Sequence, residues 1–210
     1  EHRRVVLRFP LPKGFAWHLR GRKFDALERR AKYLLARLDD GEVLVMHLGM
    51  TGRFSIDQAN GKSLELGDFE YGQKPTPKHE HIVFHLADGT AVRYSDTRRF
   101  GFMDLIPGAT LPSHALFKGL GNEPLGADFT PEWLASRLKG KATSIKAALV
   151  DQRLIAGIGN IYACEALFRA ADHGFWIGRP VELPGSRPLR FETPDLGSHL
   201  VEWPATQTVK

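Results

Sequence analysis

Asp96-Thr97-Arg98-Arg99-Phe100 sets two guanidiniums beside an aromatic ring. Arginine binds phosphate or a base edge, and a phenyl ring can wedge into a base stack. The plain alternative is a strand entrance with surface arginines and a core Phe100. Ile155-Ala156-Gly157-Ile158-Gly159-Asn160-Ile161-Tyr162 brackets a turn with glycines and runs into a helical pattern. A helix start presents unpaired N–H groups, and glycines let a phosphate approach the backbone. Asn160 can cap that helix or donate its amide to a phosphate. The plain reading is a turn between two core helices. Met46-His47-Leu48-Gly49-Met50-Thr51-Gly52 holds Met50 on a glycine-flanked turn, either as a filler for space left by an extruded base or as core. Lys32, in Arg29-Arg30-Ala31-Lys32-Tyr33, stands where a basic run enters an apolar strand. There it can pair with a phosphate, move a proton if partly desolvated, or simply face water. Lys78-His79-Glu80-His81 suits phosphate contact through His79, or one half of a metal site with no third ligand cluster in view.

The charge distribution points the same way. Eleven of the 29 basic residues fall within residues 1–37, opposed there by Glu1, Asp25 and Glu28. A local positive excess favours phosphate backbones or anionic surfaces, and it also suits a solvated basic face. The chain has 210 residues, 42% of them hydrophobic, enough for one large domain or two small ones. No apolar run approaches the ~18 residues that span a bilayer. A single cysteine, Cys164, allows no internal disulfide and no cysteine-rich zinc site. It fits a reducing compartment.

Two kinds of element must position these residues. Over the first two-thirds the pattern is β. Residues 33–38 and 43–47 flank Asp39-Asp40-Gly41, residues 81–86 and 90–94 flank Asp88-Gly89, and residues 100–106 form another strand. Asp-Gly between apolar-rich runs is a strong hairpin signal because both turn residues tolerate positive φ. An antiparallel sandwich follows over residues 1–106. Residues 57–78 are polar, rich in Gly and Pro, and read as a long mobile loop. Residues 107–129 have linker composition. Thr130-Pro131-Glu132 then starts a helix. Thr143 or Ser144 caps a second helix carrying Ile145 and Leu149, and a third begins near Asn160 with Ile161, Cys164, Leu167 and Phe168 on one face. Residues 130–171 are therefore helical, and residues 172–210 show no sustained period. The fold class is α+β.

Taken in order, six segments resemble the formamidopyrimidine-DNA glycosylase family of bacterial-type repair enzymes. They are Arg29 to Leu35, Met46 to Gly52, Lys78 to His81, Tyr94 to Gly101, Gly121 to Leu125 and Ser144 to Phe168. The resemblance implies a β-sandwich, a linker and a helix–two-turns–helix domain, with duplex DNA in the basic cleft between the domains. It implies that Lys32 is the active-site lysine near the scissile phosphate, active in β-elimination. His79, Arg98 and Asn160 become backbone contacts, with Lys146 as a further phosphate contact. Met50, Arg99 and Phe100 become the trio that fills the gap left by the flipped base, as in the oxidised-purine branch. The implied reaction flips an oxidised purine, attacks the sugar with an amine to form a Schiff base, and nicks the strand by elimination. The expected partner is duplex DNA carrying oxidised purines or abasic sites. A cytoplasmic, nucleoid-associated monomer with no membrane contact is expected.

Two departures shape the expectation. The family opens on a proline nucleophile followed by a glutamate acid, whereas this sequence opens Glu1-His2-Arg3-Arg4. The family usually ends in a four-cysteine zinc finger, so no metal and no cofactor are expected here. The last segment reads as frameshifted or divergent. Three readings follow: an incompletely recorded glycosylase, a short form that binds lesions without cutting, and a basic module for RNA or ribosomes. Under the first two, the chain as written should give no covalent complex when trapped with borohydride.

Overall fold

The computed structural model describes residues 7–65, 77–172, 189–191 and 201–203. They form two compact units, Glu1–Lys118 and Gly119–Lys210.

The first unit holds a short helix α1 (Phe15–Leu19) and eight strands: β1 (Phe24–Arg30), β2 (Tyr33–Leu38), β3 (Glu42–His47), β4 (Gly52–Asp57), β5 (Ser63–Glu65), β6 (Glu80–His85), β7 (Ala91–Asp96) and β8 (Phe102–Pro107). They make two four-stranded antiparallel sheets, ordered β1-β2-β3-β8 and β5-β4-β7-β6. One core cluster takes Ala36, Leu44, Met46 and Met103 from the first sheet and Ile82 and Tyr94 from the second. This is the sandwich expected from the two hairpins and the further strands, since each sheet has one apolar face to bury. Both Asp-Gly turns fall where the sequence places them. Gly41 and Gly89 take φ +85° and +83°.

Two boundaries differ from the sequence reading. Of the 57–78 loop, residues 66–76 lie outside the described residues, and residues 63–65 are not loop, because β5 pairs with β4 through Ser55↔Glu65 and Asp57↔Ser63. Phe100 is not in a strand: β8 begins at Phe102, and residues 97–101 form a separate loop.

The second unit contains α2 (Pro131–Leu138), α3 (Ile145–Val150) and α4 (Asn160–Asp172), plus a short antiparallel ladder of β9 (Leu189–Phe191) and β10 (Val201–Trp203). That ladder lies in a segment whose sequence shows no period. Thr130 Oγ1 accepts from the Trp133 N–H (3.1 Å) and Ser144 Oγ from the Ala147 N–H (3.3 Å). Each satisfies one orphan donor at a helix start. Leu138, Ile145, Ala148, Leu154 and Ile155 form the core, with Trp133, Leu134, Leu149 and Leu167 packed against it. On α4 the apolar face is rotated from the expected one. Ala163 is fully buried, while Ile161 is 71% exposed and Cys164 is also exposed. The second part of the linker composition belongs to this unit: Gly121 N–H donates to Gln152 O (2.8 Å), and Asn122 bridges Ile155. Among the described residues no helix is long and apolar enough to cross a membrane.

Candidate nucleic-acid interface

In the first unit two loops meet. One joins β3 to β4 and carries Met50. The other joins β7 to β8 and carries Arg98, Arg99 and Phe100. Arg98 links them: its Nη1 lies 3.3 Å from Met50 Sδ, and its guanidinium sits 4.5 Å from the centre of the Phe100 ring. Met50 is 62% exposed and Phe100 42%. These two values decide against the core reading of both side chains. Arg99 is half-buried with φ +57°, in the left-handed region. That backbone costs roughly 1–2 kcal/mol for a residue with a Cβ, so the surroundings must hold it.

The holding group is Asp96, which is fully buried. Its Oδ1 accepts from Thr51 Oγ1 (2.5 Å) and from the Arg98 N–H (3.2 Å). Its Oδ2 accepts from the Gly101 N–H (2.8 Å) and from the Tyr94 hydroxyl (3.1 Å). Burial first, then the Asp96 charge, push the Tyr94 hydroxyl far above the ordinary phenol range, so it stays a donor. Gly101 must be glycine because a Cβ there would fall on that hydroxyl.

Lys32 projects from the tip of the two-residue β1–β2 turn, exposed. The preceding Ala31 takes φ +52°, and Arg29 Nη1 donates to its carbonyl (2.7 Å). His47 faces this lysine. Burial chiefly, then the positive charges of Lys32 and Arg8, hold the His47 imidazole below its ordinary range. Its Nδ1 accepts from the Gly49 N–H (3.1 Å), a bond that needs that nitrogen unprotonated. Arg8 also meets the second loop, its N–H donating to Gly101 O (3.0 Å). Arg8 thus touches the second loop through its backbone, while its guanidinium lies over the Phe9 ring.

His79 ends a 3-10 turn (Pro77–His79) and is half-buried. The pairing of His79 with His81 in a metal site does not hold. His81 is fully buried and its Nε2 donates to the Asp96 carbonyl (2.7 Å). The zinc finger implied by the resemblance needs four cysteines. Cys164 lies exposed on α4.

Asn160 and Lys146 belong to the second unit. Gly159, not Asn160, occupies the capping position of α4, because its carbonyl accepts the first helical bond from the Ala163 N–H (2.9 Å). Asn160 is the exposed first helical residue, and its Oδ1 lies 4.0 Å from Cys164 Sγ. Lys146 is exposed on the first turn of α3. The turn before α4 is shaped by Gln152. Its amide Nε2 donates to Val150 O (2.9 Å) and Ile158 O (2.7 Å), while its Oε1 accepts from the Gly157 N–H (2.9 Å).

Sequence reasoning passed over His47, Arg8, Thr51 and Gln152. His47 lies within Met46–Gly52, and its neighbourhood with Lys32 follows from the Tyr33↔His47 register. Thr51 and Gln152 carry no sequence signal of their own, because their partners are set by the fold.

A family model for the formamidopyrimidine-DNA glycosylase N-terminal domain matches residues 1–103, and one for that family's H2TH domain matches residues 120–185. The chain belongs to the formamidopyrimidine-DNA glycosylase family. A formamidopyrimidine-DNA glycosylase of Methylobacterium nodulans is 53% identical over 171 residues, covering 81% of this chain and 58% of the relative. One from Methylobacterium sp. strain 4-46 is 53% identical over 188 residues, 89% of this chain and 63% of the relative. The chain thus spans less than two-thirds of these curated relatives. Among solved structures, Lactococcus lactis Fpg in complex with DNA containing an abasic site aligns with TM-score 0.65 at 29% identity. The alignment covers 81% of this chain and 58% of that one. The same enzyme with DNA containing FAPY-dG gives TM-score 0.66.

Proposed function

We propose that this chain supplies the lesion-holding surfaces of a base-excision repair glycosylase and AP lyase acting on oxidised purines in duplex DNA. The observation that carries the reading is the exposed stack of Met50, Arg98 and Phe100 on two loops tied to one buried carboxylate. Apolar side chains held in water at a fixed spacing suit insertion into a base stack. Extruding a base costs a few kcal/mol, and a filler that stacks on the neighbouring bases offsets about 1–3 kcal/mol of that.

The roles divide accordingly. Met50 and Phe100 fill the gap left by the extruded base, with Arg99, the third residue that the resemblance implies, next to Phe100 in the chain and Arg98 in contact with both Met50 and Phe100. Arg98, His79, Asn160 and Lys146 hold backbone phosphates. Lys32 stands beside the scissile phosphate and serves the elimination step, with neighbouring Arg8 adding to the positive field there. The chemical steps are amine attack on the anomeric carbon, loss of the base, Schiff-base formation and β-elimination. What the described residues contribute to them is orientation of the extruded sugar and its phosphates.

The test compares affinity for a duplex carrying a stable abasic analogue, the undamaged duplex and a structured RNA. Tightest binding to the abasic duplex is expected. Preference for RNA would overturn the reading.

A further inference from the structure

We infer that Asp96, acting through Thr51, is the positioning residue that sets the spacing of the two gap-filling loops. The inference rests on the reading of Met50, Arg99 and Phe100 as gap fillers. It adds the group that keeps them in register.

The two loops need such a group. Strand pairing joins only their ends, His47 to Phe102 and Gly52 to Asp96, and leaves residues 48–51 and 97–101 between those pairs outside the ladders. Asp96 is the last residue of β7 and its backbone is anchored by His81, whose Nε2 donates to its carbonyl at 2.7 Å. From this fixed point the carboxylate reaches outward. It takes the Arg98 and Gly101 N–H groups, one on each side of Arg99-Phe100, and so brackets the left-handed Arg99. It also takes Thr51 Oγ1, the residue next to Met50. The Thr51 oxygen in turn accepts from the Arg98 N–H at 3.1 Å. The hydroxyl therefore touches the carboxylate and the opposite loop at once. A shift of Thr51 would move Met50 relative to Arg98, which it meets on the exposed side and which itself lies over the Phe100 ring.

A buried carboxylate is costly unless every lone pair is used. Here both oxygens accept twice, from groups on β7, on the first loop and on both flanks of the second. A turn could be closed with one such bond. Four bonds converging from separate segments specify geometry.

The experiment measures affinity for an abasic-analogue duplex and for its undamaged counterpart, together with fluorescence of a 2-aminopurine beside the abasic site as a report of stacking. It is run with the full chain, well below each variant's Tm. Thr51→Val removes the hydroxyl at nearly constant shape. It should lower the ratio of abasic to undamaged affinity by about tenfold, as expected for one hydrogen bond to a charged group, and change the aminopurine signal. Thr51→Ser should restore both. Asp96→Asn, which turns one acceptor oxygen into a donor facing donors, should lower the ratio at least as far. Phe100→Ala separates gap filling from loop positioning. If it collapses the ratio while Thr51→Val stays within about twofold of wild type, the positioning role is wrong and the gap-filling reading stands. If Phe100→Ala leaves the ratio intact, the gap-filling reading fails and the inference falls with it. Equal loss of both affinities in Thr51→Val would show a role in folding alone and would also overturn it.

Discussion

Gly49 packs so closely on the backbone of the opposite loop that a Cβ at that position would lie 2.6 Å from both the Phe100 carbonyl carbon and the Gly101 nitrogen. Those atoms cannot swing away as a side-chain tip can. Gly49 also takes φ +67°. Gly49→Ala therefore meets two penalties, left-handed backbone and overpacking, together about 2–5 kcal/mol. Urea denaturation should show that loss, and the abasic duplex should lose its advantage over undamaged DNA. A loss below about 0.5 kcal/mol, the range of ordinary surface changes, would mean that the loops are not in contact.

Arg98 does two things that separate in variants. Its charge suits a phosphate, and its plane lies over Phe100. Arg98→Ala should weaken binding to both the damaged and the undamaged duplex and reduce the slope of log affinity against log salt by about one. It should also cost some lesion preference, because Phe100 and Met50 lose their common partner. Arg98→Lys keeps the charge and loses the planar stack. It should hold undamaged affinity while lowering lesion preference toward the level of Phe100→Ala. Full lesion preference in Arg98→Lys would show that the stack is dispensable.

The pH dependence of stability should carry a signature of His47. Its folded-state pKa is depressed, by burial first and then by Lys32 and Arg8. The unfolded chain therefore binds the proton more readily. The contribution is full above the ordinary histidine value of about 6.5 and is lost as pH falls below it toward the folded value. Protonation at Nδ1 would also break the bond from the Gly49 N–H. Urea midpoints of the wild type should fall between pH 7.5 and 5.5 more steeply than those of His47→Gln. Parallel profiles would contradict this.

In the second unit, Gln152 is the test of the phosphate-binding turn. Its side chain makes three hydrogen bonds within residues 150–158, fixing the backbone that leads to Asn160. Gln152→Ala should weaken duplex binding to a similar degree with and without the lesion, since phosphate contacts position without reading a base. Lost lesion preference with unchanged undamaged affinity would assign the turn a different role.

Much of this organisation is legible in the sequence, for local reasons. Asp39-Asp40-Gly41 and Asp88-Gly89 announce hairpins because their chemistry fits the turn by itself. Thr130 and Ser144 announce helix starts because a capping oxygen sits next to an apolar stripe. The failures are equally physical. Phe100 continues an apolar pattern into β8, yet the bonds from Arg98 and Gly101 to Asp96 hold it out of the ladder. The stripe on α4 meets the core at Leu167 but not at its start, where Ile161 and Cys164 face outward and Ala163 inward. The node around Asp96 joins residues 45 positions apart in the chain, which no local pattern records. β5 is three residues long and mostly polar, too short to show a period.

The most direct measurement is a set of equilibrium titrations of the chain against a duplex with one abasic analogue, the same duplex undamaged, and a structured RNA of equal length, each at several salt concentrations. Tightest binding to the abasic duplex is expected, with affinity for every ligand falling steeply as salt rises and the abasic preference persisting at each concentration. Equal affinity for the two duplexes, or a preference for the RNA, would contradict the assignment of Met50, Arg99 and Phe100 to a gap in damaged DNA.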